Sequence, residues 1–236
     1  PACYPAGDSM MKALPFALAA LLGLAGAARA GAADRAAAVI HVESCEAILQ
    51  EFMSDPATAI PPAVWKQAKA VMILNQFKAG FLFGVKAGYG VIMARQSDGR
   101  WSVPVLISAS EASIGLQLGA KSVETVCIVT DAQTPRLLFN QRFNIGVDAK
   151  AVAGPAATGV EQNGGAIAKA PILVYTKSAG LFAGATVKAG YVDRDDPANF
   201  TLYGTTYTLP ELLYSNWVSP VPEVQPLMHL VQRLAP

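Results

Sequence analysis

The chain has 236 residues, of which 53% are apolar and 15% charged, with a formal net charge of +1. A chain this apolar can bury a core and is not disordered. Near-neutral charge gives no bulk attraction to nucleic acid, so any basic binding surface must be local.

Residues 1–9 precede a plausible start at Met11-Lys12, which opens a positive n-region. The apolar run 13–27 and the small residues of Ala28-Arg29-Ala30 complete a signal-peptide pattern, with cleavage expected near Ala30. The alternative is an uncleaved anchor, although the run is short of the roughly 20 residues that span a bilayer. Removing 1–30 takes away Lys12, Arg29 and Asp8 and leaves equal numbers of basic and acidic residues. The expected location is periplasmic or secreted. Of the remaining cysteines, Cys45 and Cys127, an oxidising compartment allows a disulfide, and the apolar run 126–129 equally suits a buried thiol.

The stripe Val39, Val42, Ala47, Ile48 and Phe52 predicts a helix over 34–53, capped by Asp34 and ended by Asp55-Pro56. Pro61-Pro62 starts a second short helix, 62–69. From residue 70 short apolar runs bounded by Gly, Pro, Asp or Asn predict strands. They fall at 71–74, 81–83, 91–93, 101–107, 114–118, 126–129, 137–139, 143–153, 166–175, 181–192 and 199–204. Asp98-Gly99 centres a hairpin turn. Interior glycines such as Gly80, Gly84, Gly88, Gly90, Gly184 and Gly190 mark sharp bends or close approach by a neighbour or a ligand. The stretch 79–89 is echoed at 179–191 with a two-residue insertion, which suggests two equivalent strand pairs. A short helix at 209–214, a Pro-rich connector at 219–222 and a helix at 226–234 end the chain. The last helix carries Leu227, Leu230, Val231 and Leu234 on one face, for docking on the body or on a membrane.

The expected fold is α+β: a Gly-rich, strongly curved antiparallel β-barrel or sandwich with flanking N- and C-terminal helices. Its parts are a leader (1–30), a body (31–208) and a helical tail (209–236).

No nucleophile elbow, Walker loop, metal-spaced His/Cys set or carboxylate pair occurs, so no enzyme and no cofactor or metal is expected. Between Asp55 and Asp98 there is no acidic residue, while Lys66, Lys69, Lys78, Lys86 and Arg95 fall inside the interval. A local basic face backed by Trp65, Phe77, Phe81 and Phe83 would adsorb to an anionic leaflet; solvated lysines around a rim are the equal alternative.

The runs 78–95 and 98–104, with 115–120, Gly154-Pro155 and 175–184, resemble the SYLF domain family over about residues 62–204. The resemblance implies binding of phospholipid, including phosphatidylinositol lipids, and in some members of actin. For an exported member it favours a phospholipid or membrane surface, a protein partner being the alternative and a structural envelope role a third. The region it points to lies around Trp65, Lys66 and Lys69. With the charge pattern, the candidate lipid-binding residues are Trp65, Lys66, Lys69, Lys78, Phe81, Lys86, Lys177 and Lys188. Ala179, Lys121 and Lys188 depart from the family pattern, which weakens phosphoinositide selectivity and favours general anionic head groups.

Overall fold

A computed structural model describes residues 13–56, 58–81, 83–114, 119–139, 142–145, 151–153, 170–178 and 190–236, with side chains described for part of these. A long helix, α1 (Ala13–Ser54), and a single turn, α2 (Pro62–Trp65), lead into the sheet. Its strands are β1 (Ala70–Phe81), β2 (Phe83–Ala94), β3 (Val105–Ile114), β4 (Gly119–Val129), β5 (Phe143–Ile145), β6 (Ala151–Ala153), β7 (Ile172–Ser178) and β8 (Gly190–Arg194). Helices α3 (Asp196–Tyr203), α4 (Leu209–Tyr214) and α5 (Gln225–Leu234) follow.

The eight strands form one sheet in the order β5-β8-β3-β2-β1-β4-β7-β6. Every neighbouring pair is antiparallel except β6–β7. The sheet curls into a half-barrel flanked by helices, in agreement with the α+β expectation. Two glycines of β2 show why it can curl. A Cβ at Gly88 would lie 2.1 Å from the Asn75 carbonyl oxygen, and one at Gly90 would lie 2.3 Å from that of Ile73. Only the absence of a side chain lets the two backbones approach so closely.

Alternation sorts the side chains onto two faces. Val71, Ile73, Val91, Met93, Val126 and Ile128 meet α1, α2 and α5 through Val42, Cys45, Leu49, Phe52, Trp65, Leu227 and Val231. Met72, Leu74, Ile92, Ile107, Cys127 and Val129 meet α4 through Leu209, Leu212 and Leu213. Coverage on both faces explains why the run Val71-Met72-Ile73-Leu74 is continuously apolar and wholly buried. The C-terminal helix docks on the body, with Leu227, Leu230 and Val231 buried.

Several expectations are corrected. The first helix is not confined to 34–53; α1 runs unbroken from Ala13. Residues 137–139 belong to a 3-10 helix, Thr134–Phe139, started by Asp131, whose carboxylate accepts from the Gln133 and Thr134 amides. Residues 199–204 are helical rather than extended. Asp195 caps α3 by accepting from the Ala198 amide, a proline occupies its first turn, and Gly204 ends it at φ 64°. Asn199 then bridges α3 to β3, accepting from the Leu106 amide (2.8 Å) and donating to the Leu106 carbonyl (2.9 Å). Residues 101–104 precede β3 rather than form it, whereas the Asp98-Gly99 turn stands, with Gly99 at φ 85° and Arg95 bridged to Trp101. Cys45 and Cys127 are buried thiols in the clusters on opposite faces of the sheet, which rules out their disulfide in this fold. The strands expected over 115–118, 166–169 and 181–189, and most of the second copy of the echo, fall outside the described residues.

Candidate binding surface

Strands β1 and β2 pair without interruption from Ala70 opposite Ala94 to Phe81 opposite Phe83. The helices cover only the first part of that ribbon. On the α1 face burial ends at a polar row that crosses six strands in register: Lys177, Glu124, Asn75, Tyr89, Ser108 and Asp193. On this row the Asn75 amide donates to the Tyr89 hydroxyl (3.1 Å).

Helix α1 closes over the row at two points. His41 stacks on Tyr89 with ring centroids 3.7 Å apart and 8° between planes. Glu51 accepts from Lys177 at 2.5 Å. Burial lowers the His41 pKa against a weaker opposing pull from Asp195. Burial, and then the Glu51 charge, raise that of Glu124. The Glu51 hydrogen bond raises that of Lys177. Cys45, on the sheet-facing side of α1, donates to the Ile73 carbonyl, and burial pushes its thiol up to about 12. That thiol is inert at neutral pH.

Beyond the polar row the sheet projects. Phe77 is 55% exposed, and Ala87, Ser110 and Ser122 around it are exposed. In the backbone register Lys78 is opposite Lys86 on β2 and Lys121 on β4, and Lys86 is opposite Glu111. Neighbouring strands lie about 4.8 Å apart, so the three lysines form one short row. The hairpin then ends at the Phe81–Phe83 pair.

The structure divides the residues singled out from the sequence. Trp65 is 1% exposed and belongs to the core, so it is not a surface anchor. Its burial follows from α2 turning its Val64–Trp65 side into the sheet. Lys66 and Lys69 are exposed, but at the start of β1. Nine residues of strand place Lys69 about 30 Å from Lys78, at the other end of the sheet. Lys177 is on the α1 face and tied to Glu51. Lys78, Lys86 and Phe81 do share the projecting end. Lys188 lies outside the described residues. A single rim holding all eight is therefore not formed. Lys121 joins the row through β1–β4 pairing, a contact across more than forty residues that no local pattern reveals. Among the described residues no three His, Cys, Asp or Glu side chains are grouped to hold a metal ion.

The family model for Ysc84, described as Las17-binding protein actin regulator, matches residues 110–234. The chain is 35% identical over 180 residues to LAS seventeen-binding protein 3 of Saccharomyces cerevisiae; the match covers 75% of this chain and 39% of that protein. Protein YSC84 of the same yeast is 34% identical over 183 residues, with 75% and 38% covered. Human SH3 domain-containing YSC84-like protein 1 is 28% identical over 179 residues, with 73% and 52% covered. The matched region thus spans about two fifths to one half of these relatives.

Proposed function

The chain belongs to the Ysc84 family, and on that premise we propose that it is a non-enzymatic binding module that docks the projecting end of its sheet on an anionic phospholipid surface. The observation that carries this reading is the register row Lys86–Lys78–Lys121. Like charges directly opposite one another on neighbouring strands are destabilising; Glu111 is in register with Lys86 alone, which leaves the Lys78–Lys121 pair for an anionic surface to offset. Each lysine near an anionic leaflet contributes about 1 kcal/mol, so three give weak, salt-sensitive adsorption. The exposed Phe77 supplies the apolar insertion such adsorption requires. We place the module outside the cytoplasm, released by cleavage after Ala30; the mass of the exported form tests this. No helix among the described residues is long and apolar enough to cross a membrane.

A second reading, docking of a protein partner on the same end, is favoured by the relative whose name states that it binds LAS seventeen. Co-sedimentation separates the two. Vesicles of phosphatidylglycerol and phosphatidylcholine should pellet the protein at low salt and release it at high salt. The triple variant Lys78→Glu, Lys86→Glu, Lys121→Glu should stay in solution. No binding to anionic vesicles, together with pelleting by actin filaments, establishes the second reading.

A further inference from the structure

One step beyond the polar row, on the same face of the sheet, a second register row runs Ser122, Phe77, Ala87, Ser110 and Tyr191 across β4, β1, β2, β3 and β8. All five residues are exposed, Phe77 by 55% and Tyr191 by 42%. The two rings stand three strand spacings apart, about 14 Å, with only Ala87 and Ser110 between them. The exposed Arg142, just before β5, sets its guanidinium over the Tyr191 ring, 4.8 Å from the centroid. Such a row crosses the strands, so its members meet any surface that the projecting end approaches at one level.

The residues behind the row have the opposite character. Glu124 and Asp193 belong to the polar row, about 7 Å back along the strands. Helix α1 runs along that polar row, from His41 stacked on Tyr89 to Glu51 paired with Lys177. It carries Glu43, Glu46 and Glu51 within this stretch, with Glu43 and Glu51 exposed. An aromatic and cationic front is therefore backed by an acidic shoulder.

That order fits a bilayer better than a folded partner. Five strand positions present about 160 Å², against the roughly 800 Å² that each side of a stable protein interface buries. A head-group layer needs no matching surface. Tyrosine, apolar in its ring and polar at its tip, settles at that layer, and arginine there meets lipid phosphate. The carboxylates of α1 resist deeper entry into an anionic leaflet.

We infer that the row from Phe77 to Tyr191, with Arg142, marks the water line of the bound module: it lies in the head-group layer of an anionic bilayer, and the polar row and α1 stay in the water above. This rests on the lipid reading proposed above. It adds the depth at which entry stops and two contacts, Tyr191 and Arg142, that lie outside the basic stretch 66–95.

Nitroxide labels on Ser110→Cys and Ser122→Cys test the depth, with Gln50→Cys on the exposed side of α1 as the water control. The native Cys45 and Cys127 are buried and stay unlabelled. On vesicles of phosphatidylglycerol and phosphatidylcholine, both row labels should lose access to an aqueous nickel reagent, and the Gln50→Cys label should keep it. Arg142→Ala should weaken vesicle partitioning about fivefold, the loss expected for one cation at the leaflet. Tyr191→Ala should also weaken it, Tyr191→Trp should retain it, and Lys66→Ala, at the other end of the sheet, should leave it unchanged. The inference is overturned, and the lipid reading left standing, if the protein pellets with vesicles while the row labels keep their aqueous access, or if Arg142→Ala and Tyr191→Ala both bind as the parent does. Loss of access without vesicles would place a second copy on the row and also overturn it. Failure of the parent to pellet at low salt would instead remove the lipid reading itself.

Discussion

Strands β1 and β2 pass through two environments along one uninterrupted ladder. From Ala70 to Leu74 both faces are covered, by α1, α2 and α5 on one side and by α4 on the other. At Phe77 the α1 face is open, and the next register position sets Lys78 opposite Lys86 and Lys121. The backbone pairing is the same in both halves; the difference lies in what packs on the sheet. The covered half therefore holds the stability, and the projecting half is the end proposed above for recognition, the division expected when a rigid scaffold presents a binding end.

Substitutions that divide the ladder sharpen this contrast. Ile73→Ala, in the covered half, should cost about 2–5 kcal/mol in denaturant unfolding, because it leaves a cavity beneath α1. Gly88→Ala should cost about 1–3 kcal/mol, because the added carbon meets the Asn75 carbonyl; a neutral result would show that the curl does not depend on close approach there. Phe77→Ala, in the projecting half, should change stability by no more than about 0.5 kcal/mol while reducing vesicle binding. A loss comparable with that of Ile73→Ala would break the comparison. The smallest effect is expected at the border. The folded-state pKa of Glu124 is raised above its ordinary 4.5, so the folded state holds this proton more tightly than the unfolded state. Its contribution is complete below pH 4.5 and is lost as pH rises through the folded value. Glu124→Gln should remove that decline, read as the difference between the two melting-temperature profiles.

Part of this was open to reading from the residues. The run 71–74 announced a buried strand, Asp98-Gly99 announced its hairpin, and the stripe Leu227, Leu230, Val231 and Leu234 announced a helix with one docking face, for the body or a membrane, which the structure sets on the body. At 199–204 a strand was expected, while Asp195, Pro197 and Gly204 supplied the helix start and stop. The candidate binding surface was only half legible. Lys78 and Lys86 were visible as members of a basic stretch, but proximity in sequence also recruited Trp65, Lys66 and Lys69, which lie in the core or at the opposite end.

By itself, the order of residues determined the α+β class, the main strands and the polarity of their faces, because alternation and turn chemistry act over a few neighbours. Tertiary structure decided which lysines share a row, that Trp65 is enclosed and that Tyr207 meets Trp217. Those outcomes depend on strand register and on helices returning over the sheet, contacts between segments far apart in the chain.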